Sequence, residues 1–158
     1  MNYFKALSES EYDQLTEGVS LIAVLMAGAD GNLEEEELSW GERVSEIRGY
    51  AEPNELNSFY RDAHADFSTN VNTWIEKLPE DNDESLRILS DRIAKLNPLL
   101  AKLDPRVAHL LYTSFKSYAG HIAKASGGFL RFFSVSGTEK KYIELPMLDE
   151  IVFHEEDE

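Results

Sequence analysis

Leu15, Val19, Ile22 and Met26 recur at three- and four-residue spacing, which predicts a helix over about residues 9–28 with one apolar stripe. Ser8-Glu-Ser-Glu11 lies at its start as a capping box, a pattern in which serine and glutamate each satisfy the other's backbone N–H. Asp30-Gly31 breaks the run, and Gly31 can take the positive φ of a sharp turn. A second helix starts near Glu34, where glutamates complement the positive end of the helix dipole. Trp40, Val44 and Ile47 form its expected apolar face, and Gly49 its expected end. Pro53 suits a first helical position. A third helix is expected from there to about Leu78, with Leu56, Phe59, Tyr60, Ala63, Phe67, Val71, Trp74, Ile75 and Leu78 as its stripe.

Pro79-Glu-Asp-Asn-Asp83 reads as a loop. Leu86, Leu89, Ile93 and Leu96 mark a fourth helix that stops before Pro98, with a short turn around Leu99–Leu103. Asp104-Pro105 is a cap followed by proline, and the helix it opens runs to about Ala125. Val107, Leu110, Leu111, Phe115, Tyr118 and Ile122 face inward there. Thr138 caps a last helix, interrupted by Pro146. Phe129–Val135 is an apolar loop between glycines, folded onto the core or serving as a partner-binding hairpin. The pattern contains no other candidate strand. The expected fold is all-α: about seven helices in one domain over residues 1–153, with an acidic, disordered tail at 154–158.

Two segments look alike. Ala27-Gly-Ala-Asp-Gly-Asn-Leu-Glu-Glu-Glu-Glu37 joins an apolar helix to an acidic one through a tight turn. Ala123-Lys-Ala-Ser-Gly-Gly128, continuing to Val135-Ser-Gly-Thr-Glu139, repeats the arrangement with a six-residue insertion. Asp30 falls on Ser126 and Glu37 on Glu139. Two pseudo-symmetric helix–acidic turn–helix units are therefore expected in the fold. Asp30, Glu37 and Glu139 each continue an apolar face, and a carboxylate there needs backbone N–H groups, a basic residue or a metal as partner. Two readings follow: helix caps, or ligands of one divalent cation, calcium or magnesium. The first turn matches only the second half of an EF-hand loop. Met26 and Gly28 occupy the first two ligand positions, so it is not an EF-hand.

Composition narrows the chemistry. The 158 residues include no cysteine, which excludes disulfides, thiolate metal sites and cysteine nucleophiles. The formal charge is −15, against general phosphate-backbone binding. That charge is uneven. Residues 86–141 carry ten Lys/Arg against Asp91, Asp104 and Glu139, a balance of +7 that leaves −22 on the rest. Such a two-signed molecule can orient on a partner or on itself. The N-terminus lacks a signal-peptide pattern, and the longest apolar stretch is too short for a bilayer. A cytoplasmic protein without membrane insertion is expected, with a protein partner and no nucleic acid; monomer and dimer both stand.

The two acidic-turn segments resemble the TerB-like family, the tellurite-resistance protein B group of bacteria. The resemblance implies an all-helical, pseudo-twofold domain associated with chemical stress. It also implies a divalent-cation site carried by Asp30 and Glu37 of the first turn and Glu139 of the second. Ser126 departs from it, since a second aspartate there would match the first repeat. The chain has no His-Glu-x-x-His, Gly-x-Ser-x-Gly or phosphate loop. His109 and His121 point about 120° apart on one helix, and Asp62 and His64 alternate on another. A non-catalytic interaction or sensor module is therefore expected, with a metal-dependent hydrolase using the same carboxylates as the alternative.

Overall fold

A computed structural model describes residues 2–28, 35–51, 54–124 and 142–154. Helix α1 (Glu9–Gly28) starts as its capping box requires. Glu11 N–H donates to Ser8 Oγ at 3.1 Å, and Ser8 N–H donates to Glu11 Oε1 at 2.9 Å. From Gly18 to Ala27 every residue is buried. A helix apolar on all sides belongs inside a bundle, and α1 is the central rod that the others surround.

Around it lie α2 (Glu35–Ala51), α3 (Asn54–Ala65), α4 (Phe67–Lys77), α5 (Asn82–Ala94), the single turn α6 (Asn97–Leu100) and α7 (Pro105–Ala123). Helices α2, α3, α4, α5 and α7 all pack on α1. The described residues contain no strand, so the all-α expectation is met. The Phe129–Val135 loop, Thr138 and the tail from Glu155 lie outside the described residues.

The expected third helix is two. Its stripe is continuous in sequence, but the backbone breaks at Asp66 (φ −104°, ψ 4°). The break lets α3 pack chiefly on α2 while α4 turns onto α1. Further on, Asp104 caps α7 as expected, and Asp81, placed in a loop by the sequence pattern, caps α5. Asp81 accepts from Glu84 N–H at 3.0 Å, and Asp104 accepts from Arg106 N–H at 3.0 Å and Val107 N–H at 3.4 Å.

After α7, Tyr142 and Ile143 are helical, the described part of the expected last helix, and residues 144–154 continue as turns and irregular chain across α6 and α7. Leu145 and Leu148 enter the core. Leu145 does so at φ 47°, a left-handed conformation that costs about 1–2 kcal/mol for a residue with a Cβ. Asn97 fastens the segment twice. Its Nδ2 donates to Met147 O at 3.0 Å, and its Oδ1 accepts from Asp149 N–H at 2.8 Å. His109 Nδ1 meets Ile151 O at 2.7 Å beyond them.

Candidate functional site

Helix α2 turns inward a face different from the one its apolar residues predict. Glu37, Gly41, Val44, Ser45, Arg48 and Gly49 are buried, while Trp40 and Ile47 are exposed. The buried positions follow a spacing of 0, 4, 7, 8 and 11 residues from Glu37 to Arg48, a helical face in its own right. What selects it is closeness. A Cβ on Gly41 would lie 3.0 Å from Tyr118 Oη, 3.3 Å from Ile122 Cδ1 and 3.4 Å from Ala23 Cβ. A Cβ on Gly49 would lie 2.8 Å from Arg61 Cγ. The two glycines thus let α2 settle against α1, α3 and α7. Gly49 is a packing residue, and the helix continues through it to Ala51.

One end of this face carries Arg48. Its Nη1 donates to Ser114 O at 2.7 Å, Ser114 Oγ at 2.8 Å and Tyr60 Oη at 3.1 Å, and its Nη2 donates to Ser117 Oγ at 2.9 Å. The Tyr60 and Ser114 hydroxyls lie 2.6 Å apart. The guanidinium carbon sits 5.4 Å from the Tyr60 ring centroid and 5.5 Å from that of Tyr118, within cation–π range of both. Tyr118 Oη donates to Gly41 O at 2.8 Å. Burial pushes the Tyr118 hydroxyl well above its ordinary range, despite the opposing pull of Arg48. It stays neutral and works as a donor. The cluster ties α2, α3 and α7 together.

The other end carries Glu37, fully buried in the first turn of α2 and not a free carboxylate. Eleven residues separate it from Arg48, about 16 Å along a helix, so the two do not form a pair. Helices α2 and α7 run antiparallel, since Arg48 meets Ser114 while Gly41 meets Tyr118 and Ile122. Gly41 meets Ala23 on α1. One turn before Gly41, Glu37 is therefore level with the C-terminal ends of α1 and α7, where Ala27 and Ala123 are both buried. The two acidic turns of the sequence start from this same end of the bundle. Asp30 and Glu139 lie outside the described residues.

Among the described residues, no three of His, Asp and Glu gather as a metal-ligand group. The donor chemistry of Glu37 suits a hard cation: a carboxylate oxygen, buried, beside the starts of both turns. The histidines have separate roles. His64 Nδ1 is 3.3 Å from Ser45 Oγ, His109 holds the C-terminal segment, and Asp62 accepts from Tyr12 at 2.6 Å instead of pairing with His64. Burial, with Arg48 and Lys124, lowers the His121 pKa.

Sequence reasoning missed the Arg48 cluster. The one local signal is the run Gly41, Ser45, Arg48, small and polar residues at helical spacing among apolar alternatives. Scanning the protein-family models, the curated proteins and the solved structures returns no match for this chain.

Proposed function

We propose that this chain is a non-catalytic helical interaction module of the TerB-like, stress-associated kind, cytoplasmic, whose state is set by one divalent cation. Calcium and magnesium suit it best, being hard cations that take oxygen ligands. The observation that carries this reading is the complete burial of Glu37 at the end of the bundle from which both acidic turns start. A buried carboxylate is expensive unless a donor or a cation compensates it. Glu37 would hold the cation, with Asp30 and Glu139 supplying further carboxylate oxygens from the two turns. Cation binding would then join the end of α1–α2 to the end of α7, which is what a sensor needs.

The test is calorimetric titration of chelator-treated protein with calcium, magnesium, manganese and zinc, repeated on Glu37→Gln. That variant keeps the side-chain shape and removes the charge. Saturable binding that the variant loses, with its helical circular dichroism intact, is the expected result. No heat at about millimolar cation, the weak end of natural calcium sites, would reduce Glu37 to a structural residue.

A further inference from the structure

Three of the four exposed large apolar side chains among the described residues lie on α2: Trp40 (40% exposed), Ile47 (47%) and Tyr50 (77%). With Glu36 and Arg43 they follow a spacing of 0, 4, 7, 11 and 14 residues. That places all five in one stripe about 80° wide, opposite the buried face. From Trp40 to Tyr50 the stripe extends about 15 Å, the contact length of one helix laid along another. Glu35, Glu42 and Glu46, none of them buried, line one side of it at a spacing of 0, 7 and 11 residues. Among the described residues, the exposed Arg43 lies within the stripe and the exposed Arg61 of α3 lies against Gly49. Carboxylates outnumber them, on a molecule of charge −15.

We propose that this outer face of α2 is a docking surface for a basic amphipathic helix of a partner protein. The partner lays an apolar seam on Trp40, Ile47 and Tyr50 and sets lysines or arginines along the Glu35, Glu42 and Glu46 margin. Aromatic and aliphatic anchors at these spacings are how a helix is read by a helical surface, and charges of opposite sign fix its orientation. A second copy of this chain fits poorly. It would bring two acidic margins together, and like charges set face to face oppose association. This inference rests on the interaction-module reading and names the partner's chemistry.

The experiment uses the full chain carrying Trp74→Phe, so that Trp40 is the one tryptophan left to report. The probe is a synthetic Leu/Lys amphipathic helix of about 18 residues, five turns, and the control is its Leu/Glu counterpart. Both are titrated in chelator. The expected result is a saturable blue shift of Trp40 emission with a dissociation constant of roughly micromolar order. Ile47→Ser with Tyr50→Ser should weaken it at least about tenfold, as should about 0.5 M salt. Both substituted residues are exposed, so the fold should persist, which circular dichroism checks. Equal binding of the Leu/Glu peptide would overturn the proposal, as would unchanged binding to the double variant. Concentration-dependent dimers in sedimentation, abolished by that variant, would make the occupant a second copy and overturn it too. Peptide binding retained by Glu37→Gln would support the surface whatever the cation titration shows.

Discussion

Arg48 illustrates how one buried charge is accommodated without a conspicuous signature along the chain. Hydroxyls of Tyr60, Ser114 and Ser117 and the Ser114 carbonyl surround it, and two tyrosine rings flank the guanidinium. Arg48→Ala leaves those groups around a void and should destabilise the fold by about 2–4 kcal/mol, through the cavity and the buried oxygens left without a donor. Lysine should recover little of this, because an ammonium cannot reproduce a planar fork of donors between two rings. Urea unfolding of the two variants measures both. If Arg48→Lys matches the wild type, the fork geometry is irrelevant and only the charge counts.

At the scale of the element, α2 is the informative case. Trp40, Val44 and Ile47 form a valid apolar stripe, and from the sequence that stripe looks like the inner face. The fold instead seats the face that brings Gly41 and Gly49 against its neighbours, because backbone approach at those two positions outweighs the burial of Trp40 and Ile47. The mutational consequence reverses the pattern-based expectation. Ile47→Ala should fall within about 0.5 kcal/mol of the wild type, as surface substitutions do. Val44→Ala should cost about 1–3 kcal/mol through lost burial and the void left behind. Thermal denaturation of the pair distinguishes the two faces; a larger loss for Ile47→Ala would reject the observed orientation.

Other elements were easier to read, for a physical reason. The Ser8/Glu11 box, the Asp104 cap and the inward stripe of α7 are local: a side chain and a backbone N–H within three residues, or one helical period. Each is found where the sequence places it. The division of α3 from α4 at Asp66 was not readable, since the stripe from Leu56 to Leu78 passes through it without a break. Only the competing demands of α2 and α1 reveal it. Of the candidate site, Glu37 is buried, but on the Gly41, Ser45 and Arg48 face and not on the Trp40–Ile47 stripe from which its burial is expected. The Arg48 cluster was not legible, because Tyr60 and Ser114 stand twelve and sixty-six residues away.

For the whole molecule, the uneven charge of the chain is partly consumed within the fold. Arg92 pairs with Glu17 at 3.3 Å, Lys102 with Glu11, Arg106 with Glu55 and Lys116 with Glu144 at 3.5 Å. Cations of the basic segment thus meet carboxylates on α1, on α3 and in the C-terminal segment. Lys102 holds the Glu11 carboxyl below its ordinary range, and Arg106 does the same for Glu55. A depressed carboxylate pKa contributes stability above the unfolded-state value, and that contribution disappears as pH falls through the folded-state value. The midpoint gap between the wild type and a Glu11→Gln, Glu55→Gln variant should therefore be full near neutrality. It should close on acidification below about pH 5. Urea midpoints across that range check it, and a gap that widens on acidification would contradict the pairing. Because both pairs lie at the surface, about 0.5 M salt should also shrink the gap.

The strap over α6 and α7 bears on how the chain is made. A ribosome delivers the polypeptide from its N-terminus, and domains assemble as their segments emerge. Leu145 and Leu148 arrive after helices α1 to α7, yet they belong to the same core as α1. Until they emerge, the bundle presents an open apolar seat beside Asn97, whose amide awaits both of its backbone partners. Those residues should therefore fill the seat last, and a nascent chain halted before Leu145 should expose more apolar surface than the released one.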